Sequence, residues 1–268
     1  MATKKIVKKP VVVKNAMREA ALAHEAAMKK AAVKKAAKNA AKVAPKKKKA
    51  APSTKPAGRK RGATPKGLAE LQSMRGVATF DTEEALVLIR ATVEKVAKAY
   101  STRAKLKTWV KHAVGKKVTV GTASFLVYQL KTHPWVTIDG FGKSHVSASV
   151  AKRLSKSLST QTIFYGNSDT ACVTTYEMFD DGKRLEYFET GDEGVVFESK
   201  LRDEPPPEDG PDVETFVNDF IEKQDAFIPG WSSLLFNSWR YKIGDEVSLA
   251  FGEVLNDETI ERFDFISD

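Results

Sequence analysis

The chain has 268 residues and a formal charge of +10, from 44 Lys+Arg against 34 Asp+Glu. Its one cysteine, Cys172, excludes an intrachain disulfide framework. No run approaches the ~20 apolar residues that a membrane-spanning helix needs. The length suits a flexible arm and one domain, expected at residues 1–79 and 80–268.

The charge is steeply graded. Residues 1–66 hold 21 basic and 2 acidic side chains, residues 67–160 hold 15 and 6, and residues 161–268 hold 8 and 26. Such asymmetry describes a polyanion-seeking arm joined to a body that is acidic toward its end. Pro10-Val11-Val12-Val13 is too short for the apolar core of a signal peptide, and Lys14 interrupts it. The expected location is the cytoplasm, in association with the nucleoid, or the nucleus in a eukaryotic cell.

From Asn15 to Val43 the arm is rich in alanine and free of Pro and Gly, so helix propensity is high. Its lysines repel one another, and a helix there forms partially alone and more fully once phosphates neutralise it. From Ala44 to Gly67, four prolines and the glycines Gly58 and Gly62 favour an extended chain. The expected phosphate contacts are Lys29, Lys30, Lys34, Lys35, Lys38, Lys46, Lys47, Lys48, Lys49, Arg59, Lys60 and Arg61. Each cation placed near a phosphate releases a condensed counterion, which gives binding that ignores sequence and falls steeply with salt. No aromatic residue precedes Phe80, so bases have nothing in the arm to stack on. The recurring Lys-Lys-Ala-Ala and Ala-Pro-Lys-Lys texture resembles the tails of histone H1 and of bacterial H1-like nucleoid proteins. The resemblance covers residues 1–66 and implies non-specific DNA binding and compaction.

Order is expected from Phe80. Asp81-Thr82-Glu83-Glu84 reads as a capping box, followed by a helix with Leu86, Ile89, Val93, Val96 and Tyr100 on one stripe. A second helix is expected from Arg103 to Val114, stopped by Gly115. Val118 to Ile138 reads as one or two strands broken at Pro134. Gly140-Phe141-Gly142-Lys143-Ser144 has the context of a phosphate-binding loop, but Thr137 stands where such a loop needs its first glycine. A helix capped by Ser144, with Val146, Val150, Leu154 and Leu158 inward, is the better reading.

Val173–Phe179 and Arg184–Glu189 flank Asp181-Gly182, a type I′ turn signal. A two-residue turn sets Met178 opposite Leu185, Tyr176 opposite Tyr187 and Glu177 opposite Glu186. Further strands are expected at Gln161–Gly166 and Gly194–Ser199, then a proline-stiffened polar loop from Arg202 to Pro211. Pro211 opens a helix whose inner face is Val213, Phe216, Val217, Phe220 and Ile221. Trp231, Leu234, Leu235, Phe236 and Trp239 read as core, and closing strands fall near Val247–Phe251 and Thr259–Ile266. Helices and strands do not alternate regularly, so the fold class is α+β with an antiparallel sheet.

Catalytic signatures are absent from the sequence. Cys172, His145 and Asp169 supply the residue types of a nucleophilic triad without its local pattern, and Cys172 beside Val173 reads as a buried strand residue. His24, His112, His133 and His145 lack ligand spacing, and Asp180, Asp181, Asp192 and Glu193 read as turn formers, so no metal or cofactor is expected. The reading is a non-enzymatic protein whose arm engages the phosphate backbone of DNA or RNA. Two alternatives stand beside it. The acidic body is a protein-binding or immunity-type inhibitor domain for a basic partner (or for its own arm), or the chain is an enzyme without a readable motif.

Overall fold

Leu86, Val87, Leu88 and Ile89 are each at most 1% exposed, and a strand covered on both faces needs no polar alternation. They close β2 (Glu83–Ile89), the middle strand of a nine-stranded sheet in the computed structural model. The structure describes residues 73–80, 83–142, 144–191, 194–203, 205–207, 211–230, 241–250 and 259–268. All of these lie in the compact unit Arg61–Asp268.

A short strand, β1 (Gly76–Val77), precedes β2. Then follow α1 (Val93–Ala104), β3 (Thr108–Val110), β4 (Lys117–Thr119), β5 (Ser124–Leu130), β6 (Val136–Gly140), α2 (Ala148–Leu158), β7 (Gln161–Ser168) and β8 (Val173–Asp180). The chain continues as β9 (Lys183–Gly191), β10 (Gly194–Ser199), α3 (Pro211–Lys223), β11 (Phe227–Ile228), β12 (Glu246–Ser248) and β13 (Ile260–Ser267). The large sheet has the order β10-β9-β8-β7-β2-β6-β5-β13-β3, and its ladders are antiparallel throughout. Two small ladders join β1 to β11 in parallel and β4 to β12 antiparallel. The α+β class with a mainly antiparallel sheet therefore holds for the described residues.

Alternation along β2 assigns the two faces. Val87 and Ile89 point to a layer made by α1 and α2, where Val93, Val96, Tyr100, Val150 and Leu154 pack. Leu86 and Leu88 point the other way, against Phe216, Val217, Phe220 and Ile221 of α3. A third cluster, around Tyr128, Phe263 and Phe265, continues this second face toward β13.

Several expectations are corrected. The helix expected from Asp81 is β2 followed by α1: Thr92 is the N-cap, its hydroxyl accepting from the Lys95 amide. The 86/89/93/96 stripe combines a doubly buried strand with the start of a helix. The second helix over Arg103–Val114 is replaced by the end of α1 and β3, because Lys105 turns left-handed (φ 56) and ends the helix. Three strands, β4, β5 and β6, occupy the stretch read as one or two, with Pro134 between the last pair. Ser144 does not cap α2. Ser147 holds that position, and the Ser144 hydroxyl instead accepts from the Ser124 amide. Order begins before Phe80, since Gly76 and Val77 pair with Phe227 and Ile228.

The β8–β9 hairpin turns at Asp181 (φ 46) and Gly182 (φ 75), as expected. Its register agrees only at the turn. Asp180 pairs with Lys183 and Phe179 with Arg184, after which Leu185 is bulged out and Met178 faces Glu186, Glu177 faces Tyr187 and Tyr176 faces Phe188. One extra residue moves every later partner to the other face. Glu186 thereby becomes a buried residue. The strands at Gln161 and Gly194, the helix at Pro211 and the closing strands at β12 and β13 lie where they were expected. Trp231, Leu234, Leu235, Phe236 and Trp239 lie outside the described residues.

Candidate functional site

Polar residues at inward positions of a sheet are costly unless they have partners. Three groups with inward carboxyls occur on this sheet among the described residues. In the first, Glu186 is 1% exposed. Its Oε1 accepts from Tyr176 Oη at 2.6 Å and from Arg202 Nη2 at 2.8 Å, and its Oε2 accepts from Ser199 Oγ at 2.6 Å. The Arg202 guanidinium lies 3.9 Å over the Phe216 ring, which seals the group. In the second, the buried carboxylate of Asp264 accepts from Trp109 Nε1, the His112 amide and Arg262. Both are closed networks that pin the sheet to neighbouring chain.

The third group is open. Strand pairing places Asp139 of β6 and Tyr165 of β7 on either side of Leu86. Glu84 lies two residues along β2 on the same face, and Tyr128 of β5 pairs with Thr137, two residues from Asp139. Directly opposed residues have Cβ atoms ~5 Å apart and diagonal ones ~7 Å, so the four side chains form one patch. It lies where the α3 cluster meets the Tyr128–Phe263 cluster. Tyr128 and Tyr165 are 0% exposed. Glu84 and Asp139 retain partial exposure. Glu84 Oε2, Tyr128 Oη and Tyr165 Oη are buried without a hydrogen-bond partner.

Burial sets the protonation of the patch. It lifts the Glu84 carboxyl well above its ordinary range, and the neighbouring Asp139 adds to the rise. Burial likewise pushes Asp139 up to about 7, opposed by the backbone N–H of Gly140. The Tyr128 phenol is raised by burial, then by Asp139 and Glu84, with the Thr137 side chain acting the other way. Tyr165 is raised by burial and by the carboxylates of Glu84 and Glu214, the latter from the first turn of α3. The cluster therefore carries two carboxyls that resist ionisation and two phenols that keep their protons.

The helices on the two sides of the sheet differ in charge. On the side of α1 and α2, Lys95, Lys98, Arg103, Lys152, Arg153 and Lys156 are exposed on the helices, with Glu94 as the one acid on them. Glu94 is held by Lys111 at 2.8 Å. On the other side, α3 exposes Asp212, Glu214, Asp219 and Glu222 against Lys223. The strand acids Glu177, Glu189 and Glu198 nevertheless share the face of α1 and α2, so the contrast is one between helices.

Lys29, Lys30, Lys34, Lys35, Lys38, Lys46, Lys47, Lys48, Lys49, Arg59, Lys60 and Arg61 lie outside the described residues. Cys172 is exposed in a left-handed turn (φ 52), which corrects its reading as a buried strand residue. Its amide and thiol approach the Asp169 carbonyl, and among the described residues no hydrogen bond joins His145 to either residue. Asp181 is a turn residue, Asp192 and Glu193 lie outside the described residues, and no group of three His, Cys, Asp or Glu suited to a metal occurs among the described ones. No motif announces the open cluster. The available signal was that Thr137 and Asp139 alternate with Val136 and Ile138, so an acid must point from one face of that strand. Compared with protein-family models, curated proteins and solved structures, the chain matches none.

Proposed function

We propose that the lysine-rich arm binds the phosphate backbone of DNA or RNA without sequence readout and tethers a non-enzymatic body to it. The observation that carries this reading is the arm's excess of 19 positive charges within 66 residues. At that density counterion release alone drives association. The likeness to histone H1 tails supports the same reading and favours DNA, as does the basic layer of α1 and α2, which gives the body one face compatible with a polyanion. Association with the nucleoid, or with chromatin in a nucleus, follows from it. Among the described residues no helix is long and apolar enough to cross a membrane.

The test is duplex binding across a salt series, comparing the whole chain with a variant lacking residues 1–60. If about ten cations engage, log K falls against log salt with a slope of about −9. Deletion should abolish the slope with the binding. Binding that is flat in salt, or that survives deletion unchanged, refutes the role of the arm. A second reading is favoured by the acidic face of α3. There the body holds a basic protein, or the chain's own arm, and a partner captured equally well without residues 1–60 would establish the former.

A further inference from the structure

We infer that the outer ridges of α1 and α2 form a second phosphate-contacting surface, which seats the body on the backbone of a duplex that the arm already holds. The inference rests on the reading of the arm as the tether.

Position along the helices carries it. Lys95 and Lys98 stand opposite the buried stripe of α1 that holds Tyr100, and Lys152 and Lys156 stand opposite the stripe of α2 that holds Leu154. All four are exposed, as are Arg103 and Arg153. The two helices pack against each other on one side of the sheet. Burial raises the Tyr100 phenol and Arg153 opposes the rise, which places Arg153 at the seam between the helices. Contacting helices have axes about 8–10 Å apart, and Lys95 to Arg103 spans roughly 12 Å of helix, so these cations share one compact patch. Among the described residues none of them has a carboxylate partner, whereas Lys111, Arg184 and Arg262 do. Lys95 with Lys98, and Lys152 with Lys156, are like-charge neighbours that weaken their own helices. A surface that leaves this repulsion unanswered suits an anion from outside the chain.

The kind of anion follows from the rest of the surface. Tyr100 is the only aromatic residue on α1 and α2, and it is buried, so the bases of a single strand have nothing here to stack on. Thr102, Ser149 and Ser157 are exposed on the same helices and supply hydroxyl donors for phosphate oxygens. The strand acids Glu177, Glu189 and Glu198 lie on the same face along β8, β9 and β10 and repel a backbone that strays from the helices. About three or four phosphate contacts are too few to hold a duplex alone, and a flexible tether supplies the millimolar effective concentration that makes them count.

The test is duplex binding by the full chain across a salt series. It compares the parent with Lys98→Gln/Lys152→Gln/Lys156→Gln and with a control, Lys200→Gln/Lys223→Gln/Lys242→Gln, which removes equal charge from exposed lysines off these two helices. Each engaged cation contributes about 0.9 to the slope of log K against log salt, so the first variant should show a slope shallower by about 2–3 while the control matches the parent. Lys152→Gln alone, with a shift of about 0.9, serves if the triple variant does not fold. A steep parental slope that the first variant keeps overturns the inference and leaves the role of the arm standing, whereas a parent that is flat in salt overturns both. Equal loss in the control overturns it too, since net charge rather than place would then decide. A loss as large on single-stranded oligothymidylate overturns the assignment to a duplex.

Discussion

Asp139→Asn should make the protein more stable at neutral and alkaline pH. In the folded chain burial raises the Asp139 carboxyl from its ordinary 3.8 to about 7. An acid raised in this way contributes no penalty below pH 4, where both folded and unfolded chains hold the proton. As pH rises from 4 to 7 the unfolded chain ionises and the folded chain resists, so stability is lost, and the loss is complete above pH 7. A displacement of about three pH units at 1.36 kcal/mol each is about 4 kcal/mol. Solvent reaching the partly exposed carboxyl trims this to roughly 2–4 kcal/mol. Asparagine keeps the shape and cannot ionise. Urea unfolding at pH 4, 6 and 8 should show the variant close to the parent at pH 4 and ahead by that amount at pH 8. The Glu84 carboxyl should also fall toward its ordinary range, because Asp139 is the second cause of its rise. A difference between variant and parent that does not change with pH would refute the placement of Asp139 in low-dielectric surroundings.

The closed network around Glu186 should behave in the opposite way. Arg202→Ala leaves a carboxylate of 0% side-chain exposure without its ion-pair partner and should cost about 3–5 kcal/mol in urea unfolding. Replacing Glu186 and Arg202 together by Leu and Met should cost much less. Gly182→Ala places a Cβ 2.8 Å from Lys156 Cβ at a φ of +75, and should lower stability by about 1–3 kcal/mol in the same assay. Cys172, exposed in its turn, should react with a maleimide in the native protein at the rate of a free thiol, with an unchanged melting temperature. Protection of the thiol until unfolding would contradict its position.

Where local chemistry decided the outcome, the fold was legible in the sequence. Asp181-Gly182 specifies a turn because few residue pairs accept two positive φ angles, and Pro211 with its apolar face specifies α3 by the same local logic. Errors arose where distant chain decides. The run from Leu86 to Ile89 is apolar because helices cover the strand on both sides, and a doubly buried strand has no period to read. The bulge at Leu185 answers to Arg202, whose guanidinium meets Glu186 from beyond β10. The Glu84–Asp139 cluster was the least legible feature, because it exists only when β2, β5, β6 and β7 are in register and each contributes one ordinary-looking residue.

The position of β13 governs how the chain reaches this structure. It is an interior strand, seated between β5 and β3, and its ladder to β5 joins Ile260 to Leu130, about 130 residues apart. Closing so long a loop takes a toll in entropy before any contact rewards it. Sheets dominated by such distant pairings fold in milliseconds to seconds rather than microseconds. Until β13 docks, β5 presents an unpaired edge beside the apolar surface of Tyr128 and Leu126, a ready template for another chain. The slow step of folding is thus also the interval of greatest exposure to aggregation, and short peptides copying Ile260–Ser267 should slow refolding while leaving the native protein untouched.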